Sequence, residues 1–445
     1  MPKVALSIAG SDSGAGAGIQ ADLKTFSALG VYGCTAVTAI TAQNTLEVST
    51  IFEIQPKIIR KQIQSVIIDI HPDVIKIGMV YSKPIIHIAY RLLKDSKRPI
   101  VLDPILEAGS GAKLLLDNAL EPFISQLIPI STLITPNLRE AEKLTNIQID
   151  SEINAIEAAH RIRKCGAKNI IIKGGHFNEK SVTDIFLDRN GKLTKITNVQ
   201  LPVKETHGSG CNFSAAATAF LARGFGLLDA CKLANQYVHN AIRNVLKLGN
   251  GLVVTNPVSA LYEDASRYCI LHQLQFVTER IHMLNDFGKL IPETQSNIVF
   301  ALPDAKDIFD VAGVKGRIIK IGNMARPASN VEFGASKHVA CAVLAYMTID
   351  RSTRSAINIK NDEKILRLCQ SLFQVSHYDR REEPKNIKEK QGMSIFWGIR
   401  SALTKNPNAQ VIYHKGDIGK EPMVIIFGRD PTDVYNKIKK LLKNY

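Results

Sequence analysis

Long apolar runs are missing from this 445-residue chain. None approaches the roughly 20 residues that a helix needs to cross a bilayer, so a helical membrane protein is excluded. Paired cysteine spacings are missing as well. The seven cysteines (34, 165, 211, 231, 269, 341 and 369) are scattered, odd in number and form no Cys-x-x-Cys. Neither a disulfide framework nor a zinc site is expected from them, and reduced thiols fit a cytoplasmic location. There is one tryptophan, no block of five like charges and no zinc-finger spacing. Those absences weigh against nucleic-acid binding. A Walker loop, with Lys and Ser/Thr after four spacers, occurs nowhere, which excludes the common P-loop route to a nucleotide. The opening strand Val4–Ala9 is too short for a signal-peptide core and follows a single lysine, so export is not expected.

What is present is an ordinary globular composition, 45% hydrophobic and 22% charged, with a net charge of +15. The length suits two domains better than one core. A basic balance attracts nucleic acid, membranes or polyphosphates. In the N-terminal half phosphorylated metabolites account for it; in the C-terminal half nucleic acid stays open.

The first 255 residues repeat strand, turn and amphipathic helix. Strand-like runs are Val4–Ala9, Val74–Met79, Ile100–Asp103, Thr132–Thr135 and Asn169–Lys173. Pro56–Ile70, with apolar positions 58, 59, 63, 66, 67 and 70, and Ala155–Cys165 read as helices. Such alternation predicts an α/β fold with a mainly parallel sheet and helices on both faces. Ligands of such sheets gather at the carboxyl ends of the strands, where Asp103, Asn137 and Lys173–Gly174 fall. Thr183–Thr197, centred on Asp188-Arg189-Asn190-Gly191, reads as an edge hairpin. A helix from Leu228 to about Leu248 closes this half, and a helical connector from Val258 to about Leu284 follows.

The densest chemical signal is Thr206-His207-Gly208-Ser209-Gly210-Cys211, running into an Ala-rich helix former. A glycine turn opening a helix aims several unpaired N–H groups at one point, with the positive helix end behind them. That is an anion site suited to a phosphoryl group on which charge develops. Cys211 sits at the same helix start, where its pKa is expected to fall, making it a candidate base. A second signal is the N-terminal Gly10-Ser11-Asp12-Ser13-Gly14-Ala15-Gly16-Ala17-Gly18 loop with the polar pair Asp22 and Gln43. A carboxylate and an amide match the adjacent donors and acceptors of an aminopyrimidine edge.

With Lys76-Ile77-Gly78-Met79, Val101-Leu102-Asp103-Pro104, Thr135-Pro136-Asn137-Leu138-Arg139-Glu140-Ala141 and Ile172-Lys173-Gly174-Gly175-His176, these segments closely resemble the hydroxymethylpyrimidine/phosphomethylpyrimidine kinases of the ribokinase-like superfamily. The resemblance runs from about residue 5 to 255. It implies two successive phosphorylations of an aminopyrimidine alcohol with ATP and Mg²⁺. It further implies that Asp22 and Gln43 hold the pyrimidine with Met79 on the ring, and that Gly208, Ser209 and Gly210 form the anion hole with Cys211 beside the reacting hydroxymethyl. Lys173, with Asn137 and Thr206, would serve the nucleotide; Glu140 and Asp103 would serve magnesium through water. The chain departs from the usual pattern at Glu205, where Asn is common, and at Asn212, where Thr is common. Both leave nucleotide preference open. Kinases of this group often pair, which implies a homodimer.

From about residue 270 the character changes. Gly316-Arg317-Ile318, Phe333-Gly334-Ala335-Ser336-Lys337-His338, Arg354-Ser355-Ala356-Ile357-Asn358, Tyr378-Asp379-Arg380-Arg381-Glu382-Glu383 and Lys415-Gly416-Asp417-Ile418-Gly419-Lys420 occur in an order that resembles the archaeal type of thiamine-phosphate synthase domain. Phe333–Ser336 is expected to open a helix, and Arg317 offers a forked donor for diphosphate. The resemblance implies coupling of the pyrimidine diphosphate with thiazole phosphate, Arg317 on the diphosphate and His338 as proton donor or phosphate partner. Ser336, Lys337, Asn358, Arg380, Arg381 and Lys420 would support them; Arg381 with Glu382 and Glu383 reads equally well as a solvated cluster, and His377 is a weaker candidate. The expected organisation is a kinase domain over 1–255, a connector over 256–274 and a smaller α/β domain over 275–445. An alternative keeps the kinase and makes the second domain a ligand sensor without catalysis. A sugar or nucleoside kinase is disfavoured, since relatives acting on sugars usually carry Asp at the position of Cys211.

Overall fold

The computed structural model describes residues 2–178, 180–203, 206–384, 387, 393–417 and 419–445. Glu205 lies outside them. The chain divides into two compact units, Met1–Tyr262 and Glu263–Tyr445.

The first unit is built on nine strands: β1 (Lys3–Asp12), β2 (Val31–Gln43), β3 (Val48–Glu53), β4 (Val74–Ile77), β5 (Ile100–Leu102), β6 (Leu133–Ile134), β7 (Ile170–Asn178), β8 (Ser181–Leu187) and β9 (Leu193–Val199). Their order is β3-β2-β1-β4-β5-β6-β7-β8-β9. Neighbours from β2 through β7 run parallel; β3 at one edge and β8 and β9 at the other are antiparallel. The central strands are buried on both sides, as Ala5, Leu6, Ile75, Val101 and Ile134 show, because helices cover both faces. The Pro56–Ser65 helix, whose proline sits in the first turn, continues as a wider turn over Val66–Ile70, so the expected 56–70 span is helical throughout. The hairpin turn closes where Gly191, at φ 87°, donates its N–H to the Asp188 carbonyl.

The Ser209–Ala222 helix is buried along almost its whole length. Its small alanines let it lie against the sheet, with Phe213 and Phe220 filling the space beside Ala5, Val74 and Val101. This fixes its first turn at the carboxyl ends of the strands. Two short strands, β10 (Thr206–His207) and β11 (Val253–Val254), pair in parallel and hold the approach to that turn.

The second unit carries β12 (Ile298–Ala301), β13 (Val311–Val314), β14 (Ile318–Ile321), β15 (Met324–Pro327), β16 (Val331–Phe333), β17 (Ser355–Lys360), β18 (Val375–His377), β19 (Val411–His414) and β20 (Met423–Gly428). Seven form a sheet in the order β16-β13-β12-β17-β20-β19-β18. Only β18 and β19 run parallel; the other pairs are antiparallel. One face packs Ile270, Leu274, Val277 and Ile281 of the Ser259–His282 helix. The other packs the His338–Met347 and Met393–Lys405 helices. The helix expected to open at Phe333–Ser336 begins at His338 instead: Gly334 takes φ 78°, which turns the chain out of β16 before the helix can start. No helix among the described residues is long and apolar enough to cross a membrane.

Candidate active sites

Two adjoining cavities open in the first unit. The smaller, about 180 Å³, is lined by Gly10, Ser11, Gln43, Met79 and the Thr206–Cys211 turn, among others. The larger, about 510 Å³, includes Lys173, Gly174, Asp184, Phe213 and His239 in its walls. Asn137, Thr206, Ser209 and Gly210 line both. The cavities therefore meet at the amino end of the Ser209–Ala222 helix, where Gly208 caps the first turn at φ 92°.

That turn is held by the N-terminal loop. A Cβ on Gly208 would lie 1.8 Å from the carbonyl oxygen of Gly16, and one on Gly16 2.1 Å from the His207 ring. Asp12 organises the loop by accepting the N–H groups of Gly14 (2.8 Å), Gly16 (3.0 Å) and Ala17 (2.8 Å). Its Oδ2 also stands 2.9 Å from His207 Nε2, which lies 3.2 Å from the Gln43 amide nitrogen. Burial acts to raise the Asp12 pKa, but His207 and the loop N–H groups outweigh it and hold the carboxyl below its ordinary value. Asp12 and His207 thus brace the loop, the turn and Gln43 together. Reading residues singly missed His207; its signal was its place immediately before the glycine turn.

Gln43 and Met79 line the smaller cavity as expected positions for a ring; the Met79 sulfur lies so close over Gly10 that a Cβ there would meet it at 2.7 Å. Asp22, expected beside the ring, is not among the residues that line this cavity. It is fully buried, accepts the Ser7 hydroxyl at 2.6 Å and forms an ion pair with the fully buried Lys76. Lys76 went unassigned in the sequence because its partner lies 54 residues away. Burial works against the Lys76 charge, yet the carboxylates of Asp22 and Asp103 around it hold the ammonium firmly protonated.

Cys211 departs from the charge state expected of it. Burial, with Asp103 and Asp22 adding to it, pushes the thiol up to about 12, against the pull of Lys76 and the Gly18 N–H. The pKa is raised where a fall was expected, so the resting side chain is a thiol. Iodoacetamide at pH 8 should therefore modify the exposed Cys269 first. Cys211 should remain unlabelled by peptide mass spectrometry while kinase activity persists. Rapid labelling of Cys211 would contradict a buried, protonated thiol.

Lys173 lies within β7 with its ammonium 3.4 Å from Asp103 Oδ1 and 5.4 Å from the centre of the Phe213 ring. A Cβ on Gly210 would lie 3.5 Å from Lys173 Nζ, so the cation stands directly beneath the anion turn. Asp103 also accepts the hydroxyls of Ser214 (2.8 Å) and Thr135 (3.1 Å). Burial opposes its ionisation, but Lys173, Lys76 and those hydroxyls hold its pKa low. Glu140 closes a reciprocal cap: it accepts the Asn137 N–H at 2.8 Å, and Asn137 Oδ1 accepts the Glu140 N–H at 2.8 Å. Burial and the nearby Asp103 raise Glu140 to about 8, against Lys173. Both carboxylates line the smaller cavity. Among the described residues no three His, Cys, Asp or Glu side chains gather as a metal cage. Two carboxylates with open space beside them suit Mg²⁺, which keeps most of its waters and borrows ligands from phosphates.

In the second unit Arg317 is exposed, has φ 73° and donates to the Thr294 carbonyl. His338 opens its helix with Nε2 buried and unpartnered. Burial, then Arg380, Arg317 and Lys420, depress it to about 4, so it is a neutral imidazole surrounded by cations. Ser336 is buried and Lys337 exposed. Asn358 is committed to the fold, accepting the Asn297 N–H at 2.7 Å and donating to the Gln295 carbonyl at 3.0 Å. The Arg381 cluster is corrected in composition. Arg381 is exposed and bound to Asp379, whereas Arg380 and Glu383 are buried. His377 is exposed and stacks on Tyr413.

The comparisons with known proteins divide the chain in the same way. Residues 12–256 match the phosphomethylpyrimidine kinase family, and residues 273–440 match thiamine-phosphate synthase ThiN. The bifunctional thiamine biosynthesis protein ThiDN of Methanocaldococcus jannaschii is 32% identical over 445 residues, 99% of each chain. The chain belongs to this bifunctional family. Over the kinase half, a hydroxymethylpyrimidine/phosphomethylpyrimidine kinase of Bacillus subtilis is 42% identical across 254 residues, 57% of this chain and 93% of that one. The ADP complex of Bacillus subtilis pyridoxal kinase superposes with a TM-score of 0.55 at 33% identity, covering 59% of this chain and 99% of its own, which establishes the ribokinase-like fold of the first unit. As a ThiDN-type enzyme the protein phosphorylates hydroxymethylpyrimidine and its monophosphate, and forms thiamine phosphate, within thiamine biosynthesis.

Proposed function

We propose that the pyrimidine ring lies in the smaller cavity between Gln43 and Met79, and that ATP occupies the larger one with its phosphates toward Lys173. The observation that carries this reading is the meeting of the two cavities at the Ser209–Gly210 N–H groups. The γ-phosphoryl and the hydroxymethyl oxygen would come together there. Its developing charge would face the helix end and Lys173, where preorganised N–H groups act most strongly. Phosphoryl transfer of this kind has a loose transition state and needs little help from a strong base, so a Cys211 thiol suffices to orient the hydroxyl. Magnesium would be held by Glu140 and Asp103 through water and would neutralise charge on the phosphates.

In the second unit Arg317 and Lys420 would take the diphosphate, with His338 beside it. The seven free cysteines fit a reducing, cytoplasmic setting. The exposed Ile40 and Phe52 on β2 and β3 offer an edge on which two copies could pair. The test is a product assay of the intact enzyme and Arg317→Ala with hydroxymethylpyrimidine, MgATP and thiazole phosphate. The intact enzyme should yield thiamine phosphate, while Arg317→Ala should accumulate pyrimidine diphosphate and form thiamine phosphate only slowly. Equal thiamine phosphate from both would remove Arg317 from the site. Diphosphate from both with no thiamine phosphate from either would make the second unit a sensor.

A further inference from the structure

Six buried side-chain polar atoms among the described residues have no hydrogen-bond partner, and five belong to one neighbourhood of the second unit: His338 Nε2, Tyr378 Oη, Arg380 Nε, Glu383 Oε1 and His414 Nε2. Buried polar groups are otherwise paired almost without exception, so a cluster of five marks a place where something else supplies the partners. Tyr378, Arg380, Glu383 and His414 are each more than nine-tenths buried. The Tyr378 and His414 rings are 5.2 Å apart, and Trp397 meets Tyr378 edge-on at 6.3 Å. Arg380 interacts electrostatically with His338, His414 and Tyr378, and Glu383 with Tyr378.

The bonding needs of these atoms define the ligand. His414 Nδ1 accepts the Gly416 N–H at 3.1 Å, so in the neutral ring the hydrogen sits on Nε2, which becomes a donor without an acceptor. Arg380 Nε–H is a second such donor. Glu383 Oε1 is an acceptor without a donor. A phosphate would satisfy the donors but would face the Glu383 carboxylate in a buried setting, and both imidazoles are neutral there. A flat heteroaromatic carrying ring-nitrogen acceptors beside an exocyclic amine satisfies donors and acceptor together, between aromatic walls.

We infer that Tyr378, Arg380, Glu383 and His414, with His338 at the rim, form the recess that takes the aminopyrimidine ring of the diphosphate substrate. This rests on the reading that the second unit binds that diphosphate through Arg317, whose charge acts on His338. Ring and diphosphate are then recognised by separate groups, one neutral and buried, the other cationic and exposed.

The experiment measures thiamine phosphate formation by the intact enzyme, without ATP, from supplied pyrimidine diphosphate and thiazole phosphate. Two inhibitors serve as probes: hydroxymethylpyrimidine, which carries the ring without diphosphate, and inorganic pyrophosphate. Glu383→Gln should weaken inhibition by hydroxymethylpyrimidine about tenfold or more and leave pyrophosphate inhibition unchanged; Arg317→Ala should do the reverse. If Glu383→Gln leaves hydroxymethylpyrimidine inhibition unchanged, or weakens pyrophosphate instead, the recess does not hold the ring. If Arg317→Ala leaves pyrophosphate unaffected while Glu383→Gln behaves as expected, the diphosphate assignment fails and the ring site stands. Tyr378→Phe keeps the aromatic wall and removes only the hydroxyl. It should give the same selective loss if Glu383→Gln does not fold, and no loss in Tyr378→Phe would overturn the inference.

Discussion

Replacing Lys76 by Met should destabilise the kinase unit by about 3–5 kcal/mol, the usual consequence of leaving one partner of a buried ion pair alone. Asp22 and Lys76 are both inaccessible to solvent, and the Asp22 carboxylate is otherwise met by the Ser7 hydroxyl. Since whole domains are stable by only about 5–15 kcal/mol, the thermal transition that abolishes kinase activity should move down by many degrees. The double variant Asp22→Asn/Lys76→Met removes both charges and should recover at least half of the loss. Its kinase rate should stay depressed, because the Lys76 charge that faces Cys211 is still missing. A single variant as stable as the parent, or a double variant no better than the single, would refute the pair as a mutually dependent unit.

The same pair marks where reading the sequence stops. Strand and helix alternation was legible because apolar runs such as Ile100–Leu102 and Ile170–Ile172 can only be buried strands of a covered sheet. The 13-residue β2 was not recognised: its Gly33, Thr35 and Thr38 give no apolar run, and its exposure is irregular, with Tyr32 and Ile40 in solvent while Ala36 and Thr38 between them are buried. The glycine turn at 208–210 was legible as an anion site because its geometry is local. Charge states were not, since they are set across the fold. Cys211 responds first to burial and then to Lys76, Asp103 and Asp22, which the fold brings around it. Asp22 finds Lys76 only when β4 pairs with β1. Glu383 looked like part of a surface run with Arg381 and Glu382, yet folding separates them, sending Arg381 to Asp379 and burying Glu383.

Gly208→Ala should lower the kinase kcat by about 10²–10³-fold, the scale of losing an anion-hole donor, and leave thiamine phosphate formation from supplied pyrimidine diphosphate intact. Two effects act together. A left-handed backbone at φ 92° disfavours any side chain, and the new Cβ would sit 1.8 Å from the Gly16 carbonyl oxygen. That contact cannot be relieved by a side-chain rotation. Either the turn or the N-terminal loop has to move, and both line the smaller cavity. Gly224→Ala separates the two effects. Gly224 has nearly the same backbone, φ 91°, but nothing within 4 Å of an added Cβ. It should cost about 1–2 kcal/mol of stability from the left-handed conformation alone and no kinase activity. If Gly208→Ala and Gly224→Ala reduce kcat equally, close packing of the loop against the turn is not what positions the N–H groups. If only Gly208→Ala does so, the 1.8 Å approach is the feature that ties the N-terminal loop to the glycine turn.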